Sequence, residues 1–224
     1  MWMIDLPPFV PFFIGALMLL FTRGMLRSAI MLAIPILSAF HLWMMPEGVH
    51  LQFAFFDYQL IPYRVDKLSL MFGYVFHIAA LIGIIYSLHL RDTLQQVAAM
   101  LYAGSALGAV FAGDLLTLFI FWELLAFTSV FLILARRTQR AYDAAMRYLI
   151  IQVLSGVILL AGALFYAAEN NSLAFGYIGL DSIAGWLIFI AFGIKCAFPF
   201  AHNWLTDAYP EATVTGTVFL SAFT

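Results

Sequence analysis

The feature that most constrains this chain is a recurring unit: about twenty mostly apolar residues, a short polar or basic link, then another apolar run. The clearest copy is LLTLFIFWELLAFTSVFLIL, from Leu115 to Leu134. Roughly 20 such residues span the ~30 Å hydrocarbon core of a bilayer as a helix. In lipid, only elements that close their own backbone hydrogen bonds are stable. Seven windows fit, at about 6–22, 28–45, 68–90, 94–112, 114–135, 147–168 and 184–202, and an eighth begins near Ala212. The chain is 65% hydrophobic and 10% charged, against about 25% charged in soluble domains. The fold class expected is an all-α membrane protein, a polytopic helical bundle of seven spans plus a truncated eighth.

The links carry their own information. The first run has no basic residue before it, Arg23 and Arg27 after it, and no small-residue cleavage pattern, so it reads as a retained span rather than a signal peptide. Residues 46–67 alternate His50, Gln52 and Ala54 with Leu51, Phe53 and Phe55 and are interrupted by Pro46 and Pro62, which predicts a short external hairpin. Links after the first, third and fifth runs hold seven basic residues, and those after the second, fourth and sixth hold only Arg64 and Lys67. The positive-inside rule then places the N-terminus outside the cytoplasm, in a multi-pass protein of the cell inner membrane. The sequence stops about 13 residues after Ala212, ~20 Å of helix, and is expected to be an N-terminal portion or one half of a split protein.

Two charges sit where lipid should be. Glu123 lies nine residues from Asp114, ~13 Å into its helix, too deep for its side chain to reach the interface. A carboxylate at that depth marks a proton or ion route, or a hydrogen bond to a neighbouring helix. Lys195 lies eleven residues from Ala184, ~16 Å into the seventh run. Pro199 follows it by four residues and removes the backbone bond to the Lys195 carbonyl, which predicts a helix break beside the lysine. His202, about two turns beyond Lys195, is placed on a similar face as a proton relay or an interfacial hydrogen-bonded histidine. His77, midway along the third run, is a weaker relay candidate. Asp114 reads as a helix cap, and Arg136, Arg137 and Arg140 as topology determinants.

Other chemistries lack their residues. The only cysteine is Cys196, so no internal disulfide forms, and there is no phosphate-binding glycine loop, cysteine cluster or paired-histidine metal motif. No cofactor, metal or nucleic-acid partner is expected.

The segments GDLLTLFIFWELLAFTSVFLIL and GIKCAFPFAHNWLTDAYPEATVTGTVFLSAFT, with YRVDKLSLMF at the head of the third run, resemble the antiporter-like subunits shared by multisubunit cation/proton antiporters and the respiratory NADH dehydrogenase complex. The likeness looks closest to the D subunit of the sodium/proton antiporter and covers nearly the whole chain. It implies that the fifth-span glutamate and the lysine of the broken seventh span form an ion pair in a proton-transfer machinery, roles that fall on Glu123 and Lys195, with His202 a weaker match. Three departures stand out. The family proline comes five residues after the lysine, whereas Pro199 comes after four. The usual Trp-Leu-Pro-Asp-Ala reads Trp204-Leu205-Thr206-Asp207-Ala208. Family members have about fourteen spans in two inverted five-helix repeats and a further lysine or histidine in the eighth span, neither of which this chain supplies.

The resemblance divides the chain into residues 1–93, the first three spans with the hairpin, and residues 94–224, a first antiporter-like repeat. It implies a proton-translocating subunit of a cation (sodium)/proton antiporter, a transporter subunit rather than an enzyme, with other membrane subunits, protons, a monovalent cation and the bilayer as partners. The alternatives are a proton-pumping subunit of an NADH dehydrogenase or membrane hydrogenase, which would make it part of a translocase, and a non-conducting scaffold.

Overall fold

The computed structural model describes residues 6–224, and it is helical apart from one hairpin. In chain order the elements are α1 (Val10–Phe21), α2 (Gly24–Trp43), β1 (Gly48–Phe55), β2 (Tyr58–Val65), α3 (Lys67–Ser87), α4 (Thr93–Phe111), α5 (Leu115–Leu134), α6 (Gln139–Asn170), α7 (Ile183–Lys195), α8 (Asn203–Ala208), a 3-10 turn (Tyr209–Glu211) and α9 (Val214–Phe223). The all-α membrane class expected from the sequence holds. Helices α2 to α6 are long and apolar enough to cross a bilayer, while α1, α7 and α9 are apolar helices of 12, 13 and 10 residues. Composition measures apolar length, and it cannot see where Pro7 and Pro8 delay α1 or where the backbone leaves α7 early.

Helix starts follow short polar side chains. Asp66, Asp92, Asp114, Thr138, Ser182 and Thr213 each accept a hydrogen bond from a backbone N–H in the first turn of the helix they precede, satisfying donors that the helix cannot pair itself. At α3 the cap is reciprocal: Asp66 accepts from Ser69 N–H while Ser69 Oγ accepts from Asp66 N–H. Helix α6 is the longest at 32 residues, ~48 Å. It is longer than a ~30 Å hydrocarbon core requires, and its first turns carry Arg140 and Arg147.

The predicted hairpin is present. Strands β1 and β2 pair antiparallel from Gly48↔Val65 to Phe55↔Tyr58, with irregular register near Leu51. Its outer strand is exposed, while Leu60, Tyr63 and Val65 of β2 are buried against the helices. Asp114 anchors it, accepting from Ile61 N–H at 2.6 Å while it also accepts from Thr117 N–H and Thr117 Oγ1.

Helix α4 is the most deeply buried of the long helices. Its AGSALGA stretch (103–109) is built of small residues, which let neighbouring helices approach closely where lipid supplies no hydrophobic drive between them. Two apolar clusters result. The larger joins α1 to α6, β2, α8 and α9 around Phe12, Tyr102, Phe111 and Phe219. The other joins α5, α6 and α7 around Trp122, Leu159, Tyr166 and Ile188, and the two intramembrane charges lie beside it.

Candidate functional site

Helix α5 places Glu123 midway along its length, facing α6. The carboxylate lies against Gly156, where a Cβ of any larger residue would collide with Glu123 Oε1. That oxygen is buried and has no hydrogen-bond partner. The next residue back, Trp122, is buried and reaches two ways: its Nε1 donates to Ser155 Oγ on α6 at 3.0 Å, and its ring centre lies 5.1 Å from Lys195 Nζ.

Lys195 is 8% exposed and is the last residue of α7. The expected helix break exists, but its cause differs. The chain leaves the helix at Cys196 through a Schellman arrangement in which Phe198 N–H donates to the Gly193 carbonyl at 2.9 Å and Ala197 N–H to the Ile194 carbonyl at 3.2 Å. Ala197 takes the left-handed position at φ 54. Pro199 follows the turn and blocks continuation, rather than kinking an intact helix. Glu123 and Lys195 do not form an ion pair in this structure. The cation rests on the Trp122 ring instead, a contact worth about 0.5–2 kcal/mol depending on desolvation.

The histidines are elsewhere. His202 precedes α8, is exposed, and is separated from Lys195 by the broken segment, so the two-turn, same-face placement does not apply. His77 is buried with both ring nitrogens engaged: Nδ1 donates to the Gly73 carbonyl at 2.6 Å, and Nε2 shares a hydrogen bond with Ser38 Oγ at 2.8 Å. It ties α3 to α2, away from the α5–α6–α7 cluster.

Several residues were not singled out from sequence. Gln152, one turn from Gly156 on α6, is fully buried with neither side-chain atom paired. A further turn along, Tyr148 shares a hydrogen bond with Ser129 of α5 at 2.9 Å. Ser155, Gln152 and Tyr148 thus make one polar face of α6 opposite Trp122, Glu123 and Ser129 of α5. The available signal was a glutamine and a Ser-Gly pair inside the apolar run LIIQVLSGVILL. The arginines of the basic loop also make ion pairs within the protein. Arg147 makes a two-bond pair with Asp207 at 2.7 and 2.9 Å, Arg140 and Arg136 meet Glu211 at 2.9 and 3.5 Å, and Arg137 meets Asp92 at 3.1 Å. The broken segment after α7 is thereby latched to the start of α6.

Residues 112–224 match the family model described as "NADH:quinone oxidoreductase/Mrp antiporter, TM". The chain belongs to this proton-antiporter membrane family. Subunit mnhA2 of Staphylococcus haemolyticus, described as an antiporter subunit, is 30% identical over 92% of this chain and 29% of its own length. Hydrogenase-4 component B of Escherichia coli is 25% identical over 74% of this chain and 27% of its own length. The chain therefore spans under a third of these relatives. Among solved structures, respiratory complex I from Thermus thermophilus with bound aureothin contains a chain that superposes with a TM-score of 0.78 at 20% identity, covering 96% of this chain and 51% of that one, a likeness of fold. The family expectation holds, while the particular likeness to a D subunit rests on the sequence motifs.

Proposed function

We propose that this chain is a proton-translocating subunit of a multisubunit cation/proton antiporter and that Glu123 and Lys195 are its switchable charge pair. The observation that carries the reading is the setting of Glu123: a carboxylate at mid-helix, packed on Gly156 with an unpaired buried oxygen, and within electrostatic reach of a lysine at a helix break. A buried charge without a pairing contact is costly in lipid, so this arrangement favours movement of a proton or of a side chain. When Glu123 and Lys195 close, the lysine keeps its proton; when they part, as in the present geometry, the ammonium is held only by the Trp122 face and releases it more readily. Two unit charges ~4 Å apart at an effective dielectric of ~20 interact by roughly 4 kcal/mol, equivalent to about three pKa units. Closing the pair is therefore enough to switch a proton.

On this reading residues 94–224 form a first antiporter-like repeat. The exchanged ion is a monovalent cation such as sodium, the partners are other membrane subunits, and the arginine-rich links face the cytoplasm. The hydrogenase relative supports a second reading, in which the same pair serves a redox-driven complex. The test is proton flux in vesicles carrying the assembled complex. Glu123→Gln and Lys195→Ala should each stop it; unchanged flux in both variants would reduce the chain to a scaffold.

A further inference from the structure

A second charged site lies at the opposite end of the α1–α4 cluster, and it does not depend on the proton-transfer reading. The turn between α1 and α2 and the turn between α3 and α4 meet around a cavity of about 700 Å³. Arg23, Arg27 and Arg91 line it together with Ser28, Thr93 and Gln96, and no carboxylate does. One guanidinium is fixed in place: Arg27 Nε donates to the Thr22 carbonyl at 2.8 Å, and Nη1 donates to Thr93 Oγ1 at 2.7 Å and to Gln96 Oε1 at 3.2 Å. These bonds leave Nη2 for another acceptor. Arg23 and Arg91 are exposed and make no ion pair with any described residue. The nearest acid in sequence, Asp92, is already taken by Leu94 N–H and Arg137. The start of α2 adds to the positive field, because Arg23 stands at its cap position without a side-chain acceptor and Gly24, at φ 59, has open space beside its backbone.

Three guanidiniums without a counter-charge call for an anion with several acceptor oxygens, and arginine pairs best with phosphate through two-bond contacts. The surroundings identify the source. Met25 (91% exposed) lines the cavity, and close to it in the chain Phe21 (82%) and Leu26 are bare apolar side chains at the end of α1 and the start of α2, where acyl chains would lie. We propose that this cavity binds the phosphate of an anionic glycerophospholipid, held by the fixed Arg27 and the exposed Arg23 and Arg91. A bound headgroup ties the α1–α2 turn to the α3–α4 turn and so braces the central helix α4.

The experiment is native mass spectrometry of the purified full chain in detergent, offered phosphatidylglycerol or phosphatidylcholine. Wild type should retain phosphatidylglycerol in preference, with retention falling as salt rises. Arg23→Gln with Arg91→Gln, which leaves Arg27 and its bonds intact, should weaken retention by about 25-fold. Equal retention of the two lipids, or undiminished retention in the double variant, overturns the proposal. Displacement of the lipid by millimolar inorganic phosphate would assign the cavity to a free anion and overturn it equally. Should the double variant not fold, the wild-type salt series decides: retention that ignores salt contradicts a phosphate–arginine site.

Discussion

Gly156 decides how Glu123 can exist inside the membrane. A helix that crosses lipid has no water to offer a carboxylate, and this one gains room through a neighbour with no side chain. Gly156→Ala should displace the carboxylate without adding a charge, lowering proton flux by roughly tenfold or more while the protein still inserts and assembles; flux measured beside complex yield checks it. Trp122 is the other determinant, since its indole bonds Ser155 while its face carries Lys195. Trp122→Leu should lower flux more than Trp122→Phe, which keeps an aromatic face. The charged members of this site were legible because a charge in an apolar run is conspicuous. Gly156, Gln152 and Trp122 were not, because each is an ordinary residue of membrane helices until the packing of α5 on α6 shows what it faces. The position of His202 was misjudged from the sequence because two-turn spacing assumes a continuous helix.

Caps and latches set the ends of the elements. Asp114 was read from sequence as a cap, and it also accepts from Ile61 of the hairpin, 53 residues away in the chain. That contact has no local sequence signature. Asp114→Ala strands three buried donors and should destabilise the protein by roughly 2 kcal/mol or more, seen as a lower unfolding midpoint in detergent. The α7 break is governed by Ala197, whose left-handed backbone suits glycine. Ala197→Val should lower the midpoint and Ala197→Gly should not. Beyond the membrane-crossing helices, the Arg147 guanidinium holds the Asp207 carboxyl below the usual carboxylate range through two hydrogen bonds. The folded value lies below the unfolded one, so the latch contributes fully above the unfolded value of ~3.9 and is lost as pH falls through the folded value. Asp207→Asn should therefore lower the midpoint at neutral pH, by an amount that shrinks as pH falls below ~3.9.

At the scale of the whole molecule, a large apolar cluster runs from α1 through α6 to α9, and a smaller one between α5, α6 and α7 contains Trp122, on whose ring Lys195 rests. The apolar runs made the class and the hairpin readable, since length and alternation are local properties. The ends of α1, α7 and α9 were not legible there, because these helices are bounded by prolines, a Schellman turn and the short α8 segment, features of backbone conformation rather than of hydropathy. Residues 112–224 match the family model, and the fold likeness to the complex I chain extends over 96% of this chain. The decisive measurement is proton flux in vesicles containing the assembled complex, comparing wild type with Glu123→Gln, Lys195→Ala and the charge-swapped Glu123→Lys with Lys195→Glu. The account predicts that both single variants stop flux at normal complex yield and that the swap restores part of it. Wild-type flux in both single variants would contradict it.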